Sequence, residues 1–290
     1  MRRYDINTLL LFIFACTGIF ILTTPCSGNP AAKDAPYQRI ISLGPAITEA
    51  LYLLGVEDKV IGVTTYCRKP PAAAKKEKIG TILEINTEKV ISLKPDLIIG
   101  TGLTNSKDIR KLKNLGINVV TFDMSKDFDR LCHIFLDLGK LVGKEEQART
   151  MIIESRKRIV KTQKKVEGLP CKKVFVQLGF KPLFAATKDY FINDLVEFAG
   201  GINIFKNAKS GLISREEVVR RNPDILIITT MGNVGEKEQK SWQQYNTINA
   251  VKNRHIYLVD SDRICSPTPT SFAELLEEIV KILHPEAFKG

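Results

Sequence analysis

A fourteen-residue pattern occurs twice in the chain and limits its possible folds more than any other feature. Residues 86–99 read NTEKVISLKPDLII and residues 214–227 read SREEVVRRNPDILI, an offset of 128 positions. Both copies place Asn or Ser first, Glu third, Val fifth, and Pro-Asp tenth and eleventh, ahead of aliphatic residues. Asn86 and Ser214 can each cap a helix by accepting from a first-turn N–H. Glu88 and Glu216 then fall in that opening turn, where negative charge complements the helix dipole. Pro95 and Pro223 stop the helix, because the residue before proline is pushed out of the α region. Residues 97–99 and 225–228 are short, wholly apolar runs, as expected of central strands in a parallel sheet. Two related helix–proline–strand units imply two α/β lobes.

The rest of the chain alternates in the same way. Strands are expected at 39–43, 60–63, 119–122, 173–177 and 255–259, and helices at 47–54, 192–198 and 272–283. Between the halves, residues 144–166 hold no Gly or Pro and are rich in helix formers. One helix there extends ~35 Å, a stiff connection between lobes. The organisation read from sequence is an amino-terminal segment at 1–28, a first lobe at 39–143, a bridging helix at 144–168 and a second lobe at 171–290.

Arg2 and Arg3 precede an uncharged apolar stretch at 9–22 and then small residues through Gly28. This reads as an export signal, being short for a span of ~20 residues; an uncleaved anchor is the other reading. Cys26 is a candidate for lipidation, although Pro25 sits where a small residue is usual in a lipobox. Export places the mature protein in the periplasm or an equivalent extracytoplasmic space. With 43 Lys and Arg against 32 Asp and Glu, the formal charge is +11. The basic residues are dispersed and no basic-aromatic module for nucleic acid is present. A solvated basic surface accounts for them. Cys67, Cys132, Cys171 and Cys265 form no CxxC pattern, so disulfides and buried free thiols both stay open. Only His133, His255 and His284 occur, far apart, which argues against a His-rich binder of free metal. No GxGxxG, HExxH, GxSxG or P-loop motif points to an enzyme. Asp96 and Asp224 recur in the repeat, where a turn or strand-edge role suffices.

Several stretches resemble extracytoplasmic substrate-binding proteins of ABC importers for metal chelates, and most of all their cobalamin-binding branch. They are RIISLGPAITEALYLLG (39–55), GVTTYCRKPP (62–71), INTEKVISLKPDLII (85–99), KKVFVQLGFKPLF (172–184), VEFAGGINIFKN (196–207) and SREEVVRRNPDILIIT (214–229). The resemblance implies two Rossmann-like lobes with central parallel sheets, joined by one long helix. It also implies capture of a chelate between the lobes and delivery to a permease dimer with its ATPase subunits. The chain would act as a monomer without catalysis or a covalent cofactor. A cobalt corrinoid is the expected ligand, with a ferric siderophore or haem as the alternative.

For single residues, Glu88 and Glu216 match acidic residues that dock into arginine pockets of the permease; helix-dipole partners are the plainer reading. Pro45 and Ala46 match the turn at the cleft mouth, and Tyr66 an aromatic that packs on the ligand. Phe180 and Phe184 are candidates for the opposing wall, with core packing as the other reading. Trp242, among polar neighbours in KSWQQYN, reads as exposed or cleft-lining. Ile82 stands where cobalamin binders carry tryptophan, and Ser210 replaces a second one. The late loop at 266–270 lacks arginines often present there; Arg68 and Arg263 are the nearby substitutes.

Overall fold

The computed structural model describes residues 36–230 and 234–288. The expected segment at 1–28, with Cys26, lies outside them. The first half builds a five-stranded, wholly parallel sheet: β1 (Ile40–Ser42), β2 (Val60–Val63), β3 (Glu77–Lys78), β4 (Leu97–Thr101) and β5 (Val119–Phe122). Its order is β3-β2-β1-β4-β5, the arrangement of a doubly wound sheet whose chain reverses direction between β1 and β4. The second half builds β6 (Lys172–Phe180), β7 (Leu183–Ala185), β8 (Gly201–Asn203), β9 (Ile225–Thr230) and β10 (Ile256–Asp260). Here β10, β9, β6 and β8 run parallel, while β7 folds back antiparallel on the end of β6.

Alternating strand residues feed helices on both faces of each sheet. In the first lobe Ile40, Leu97 and Ile99 pack on one side, and Ile41, Ile98 and Val119 on the other. In the second, Val174, Val176, Ile225 and Ile227 pack opposite Phe175, Leu226 and Ile228. Such runs are buried on both faces, which is why they read as continuously apolar.

The two copies of the repeat are equivalent in three dimensions. Asn86 caps helix Thr87–Ser92 by accepting from the Lys89 N–H, and Ser214 caps helix Arg215–Arg221 by accepting from the Glu217 N–H. The pre-proline residues Lys94 and Asn222 both leave the helix at φ +47°. The stop is thus a left-handed turn, outside the right-handed α region as the prolines require. The Asp96 carboxylate accepts from the N–H groups of Gln38 and Arg39, at 2.7 and 3.0 Å. The Asp224 carboxylate accepts from Lys173 N–H at 2.9 Å and from the Asn249 amide at 3.0 Å. Each aspartate therefore ties the start of its lobe's first strand to the strand after the proline.

The connection between lobes differs from a lone helix. Helix Glu145–Lys164 spans 20 residues, about 30 Å. Helix Phe128–Leu141 precedes it and crosses the same boundary. Phe128, Leu131 and Cys132 pack in the second lobe's core, whereas Phe135 and Leu138 pack in the first's. The following helix returns, with Ala148 in the first core and Ile159 in the second. The bridge is thus a helical hairpin straddling both lobes. A Cβ at Gly139 would lie 2.6 Å from that of Ala148, so glycine permits the close approach. The Asp194 carboxylate accepts from Phe128 N–H at 2.9 Å, fastening the hairpin to the second lobe.

All four cysteines of the body are free thiols, with Cys67 and Cys132 buried. Among the described residues no helix is long and apolar enough to cross a membrane, and no cluster of His, Cys, Asp and Glu is arranged to hold a metal.

Candidate functional site

Parallel sheets present their connecting loops at the carboxyl ends of the strands, and ligands bind where the strand order reverses. A cleft with a volume of about 550 Å³ lies there. Each strand of the first sheet contributes to it. Gly44, Pro45, Ala46 and Ile47 follow β1, Tyr66 and Arg68 follow β2, and Ile82 follows β3. Thr101 ends β4 and Leu103 lies just beyond it, while Phe122, Asp123, Met124 and Ser125 close β5. Leu131 and Ile134 of the hairpin line it as well. Phe191 and the segment after β10 (Ser261, Asp262, Cys265, Ser266, Pro267) supply the second lobe's side.

Local chemistry explains the shape. Gly44 occupies the turn into helix Pro45–Leu53 because a Cβ there would sit 2.8 Å from Thr101 Cγ2. Pro45 suits the first helical position, where its missing N–H costs nothing. Tyr66 is 50% exposed, and Leu103 and Met124 are similarly open, so the cleft presents apolar surface to an incoming ligand. Its charges are one arginine, Arg68, and two aspartates, Asp123 and Asp262. Burial pushes the Cys265 thiol up to about 11, helped by Asp262 and Asp260. It therefore faces the cleft as a protonated thiol at neutral pH.

Two polar contacts join the lobes beside the cleft. Glu49, on the helix that begins at the cleft, accepts from Thr268 Oγ1 at 3.4 Å. Thr268 is the residue that caps helix Pro269–Leu283 of the second lobe. Burial raises the Glu49 carboxyl above its ordinary value, with the hydroxyl of Ser271, Lys69 and Thr268 pulling it down less strongly. Lys69 also pairs across to Asp260 at 3.8 Å.

Of the residues singled out in sequence, Pro45, Ala46, Tyr66 and Ile82 line the cleft, as does Arg68. Four others are placed elsewhere. Trp242 is fully buried in the second lobe's core. Its Nε1 donates to Gln177 Oε1 at 2.7 Å, and Gln177 Nε2 donates to Glu238 at 2.9 Å. Arg215 pairs with Glu238 and lies 4.4 Å over the indole. The polar neighbours of Trp242 in sequence misled because helix Val234–Trp242 turns this face inward. Phe180 ends β6 and does not line the cleft, and Phe184 on β7 packs edge-on against Tyr190 at 6.0 Å. Arg263 is held by Glu278 of its own lobe at 2.5 Å. The opposing wall is instead Phe191 with the segment after β10. The apolar wall after β5 was also missed, although the strand-end rule applied to β5 points to it.

The fold and this cleft define a two-lobed α/β solute-binding protein, and the chain belongs to the periplasmic binding protein family, whose pattern matches residues 40–263. YvrC, an ABC transporter substrate-binding lipoprotein of Bacillus subtilis, is 32% identical across 94% of this chain and 88% of its own. The vitamin B12-binding protein of Vibrio cholerae is 27% identical across 95% of this chain and 98% of its own. Among solved structures, a possible iron-binding (periplasmic solute-binding) protein from Staphylococcus epidermidis has a TM-score of 0.76 at 32% identity. That match covers 86% of this chain and 99% of the other. The periplasmic vitamin B12 binding protein BtuF of Vibrio cholerae has a TM-score of 0.74 at 26% identity, covering 88% and 99%. This chain is accordingly a substrate-binding component of an ABC importer, not an enzyme, and its partners are a permease with ATPase and a small-molecule ligand.

Proposed function

We propose that the protein captures a corrinoid, cobalamin foremost, in the cleft between its lobes and delivers it to a permease dimer. The observation that carries this reading is the cleft's balance: a broad apolar surface with an exposed tyrosine, and a single arginine against two aspartates. A corrin is a wide macrocycle fringed with neutral carboxamides. Thr101, Ser125, Ser261 and Ser266 offer hydroxyls to such a fringe, and Asp123 and Asp262 accept from its N–H groups. A haem, with two carboxylates, calls for paired basic groups. The volume suits partial enclosure of a ligand that protrudes from the cleft. The B12-binding relatives support the same choice.

The test is the absorption spectrum of the protein after incubation with cobalamin, haem or a ferric siderophore, followed by desalting. Corrin bands that persist support the proposal. Retained siderophore or haem bands without corrin bands would favour an iron chelate, the reading to which the Staphylococcus epidermidis structure lends weight.

Delivery, in this reading, uses Glu88 and Glu216. Both are exposed on the opening turns of short capped helices, one per lobe, at equivalent positions of the repeat. A permease dimer with two-fold symmetry needs one acidic knob from each lobe. Hydrogen bonds from its own backbone N–H and from Ser214 hold the Glu216 carboxyl below the ordinary range, so it is charged at neutral pH. Substitution of both glutamates by Ala is expected to leave ligand affinity intact and nearly abolish uptake into vesicles containing the permease. Full transport by the double variant would reduce these residues to helix-dipole partners. Tethering through a lipidated Cys26 completes the reading, supported by the lipoprotein YvrC; Cys26→Ser should release the protein from the membrane fraction.

A further inference from the structure

Leu83 and Leu212 are the two most exposed large apolar side chains among the described residues, at 66% and 57%. Neither lines the cleft. Both occur just ahead of the glutamate-bearing helices, five residues before Glu88 and four before Glu216. Their loops are held by backbone bonds. In the first lobe Thr81 N–H donates to Glu84 O at 2.8 Å, closing a tight turn with Leu83 at its apex. Gly80 starts this turn at φ +110°, where a Cβ would meet Glu84 O at 2.3 Å. In the second lobe, the carbonyl of Gly211 accepts from Ala185 N–H at 2.8 Å and the N–H of Ile213 donates to Leu183 O at 3.2 Å. Leu212 is thereby pinned to the edge of β7 with its side chain outward.

A lone exposed leucine needs no explanation. Two such leucines, one per lobe, each on a braced loop leading into a helix that opens with a glutamate, put one exposed apolar side chain on each lobe close in sequence to a glutamate. We propose that Leu83 and Leu212 are apolar anchors of the permease contact, each seated beside the acidic contact made by Glu88 or Glu216. This rests on the docking reading of those glutamates and adds the component that resists salt. Charge pairs at a rim steer encounter and weaken as ionic strength rises. Burial of an aliphatic side chain at the centre of a contact does not depend on salt in that way. The occupant is the permease rather than lipid, because each leucine lies within five residues of a glutamate that the docking reading seats on the permease. One patch on each lobe also matches a partner made of two like subunits.

The experiment measures binding of the full protein to its permease–ATPase complex in vesicles, at low and high salt, for three forms. These are wild type, Leu83→Ser with Leu212→Ser, and Glu88→Gln with Glu216→Gln; Leu→Ala versions guard against an effect peculiar to serine. Each leucine lost should weaken the complex about tenfold, or about 1.4 kcal/mol, at both salt concentrations. Melting temperature and ligand affinity should be those of wild type. The glutamate variant should bind weakly at low salt and lose most of its salt dependence. If the leucine variants bind as wild type while the glutamate variant fails, the apolar anchors are overturned and the acidic docking stands. If the glutamate variant binds as wild type, the docking reading itself falls. Loss of binding by the leucine variants to protein-free anionic vesicles would overturn the proposal in favour of membrane contact.

Discussion

Tyr66 and Glu49 show how single residues act at the cleft. Half of Tyr66 is open to solvent in a protein whose other large side chains are mostly packed, and a bound macrocycle would cover it. Tyr66→Ala should weaken ligand binding by about 1–3 kcal/mol, the loss of one well-packed aromatic anchor. Calorimetry on the purified variant measures it, and unchanged affinity would remove Tyr66 from the site. Glu49 governs a pH effect. The groups facing it are Thr268, Ser271 and Glu274 of the second lobe and Lys69 of the first, and burial dominates them all in raising its pKa. The folded protein therefore binds this proton more tightly than the unfolded chain. The stability so gained is full below the ordinary glutamate value of about 4.3 and is lost as pH rises through the raised value. Glu49→Gln should flatten that part of the curve of melting temperature against pH. An unaltered curve would show that the inter-lobe carboxyl does not titrate there. Sequence made Tyr66 legible because its loop keeps a family pattern, but hid the inter-lobe contact of Glu49, whose second-lobe partner Thr268 lies more than two hundred residues away.

At the scale of elements, what was legible followed length and periodicity. The long helix Glu145–Lys164 and the apolar strands were expected close to where they lie. Strands β3, β7 and β8, of two or three residues, hold too little pattern to be read. Helix Phe128–Leu141 does carry a signal, since Phe128, Leu131, Cys132, Phe135 and Leu138 repeat at helical spacing. Sequence does not tell that the first three serve one lobe and the last two the other. Trp242 failed for a related reason: its partner Gln177 lies on a strand remote in sequence. The hairpin makes its own prediction. Gly139→Leu would drive a side chain into Ala148 and the Lys144 carbonyl, so overpacking should cost about 1–3 kcal/mol in denaturant unfolding. A variant as stable as wild type would mean that the two helices can separate without penalty.

At the scale of the whole molecule, two sheets meet across a bridge of two helices rather than flexible strands. Arg158 of the bridge grips Glu277 with two hydrogen bonds, at 2.6 and 2.9 Å, and reaches Glu274 at 3.4 Å. Such a bridge favours small changes of lobe angle on binding. Scattering profiles of ligand-free and ligand-bound protein should thus nearly coincide; a marked compaction would contradict a stiff bridge. The repeat revealed the two lobes because strand and cap chemistry is local. The cleft was only half legible, because its second wall comes from loops that no local pattern ties to the first. In the proposed function this cleft, lined by the carboxyl ends of the first sheet, holds a corrinoid. Calorimetric titration of cobalamin into wild type and into Ala46→Trp, which places an indole in the cleft mouth, is the deciding measurement. One saturable site per chain is expected in the wild type and none in the variant. Equal binding by both, or no saturable heat with wild type, would contradict it.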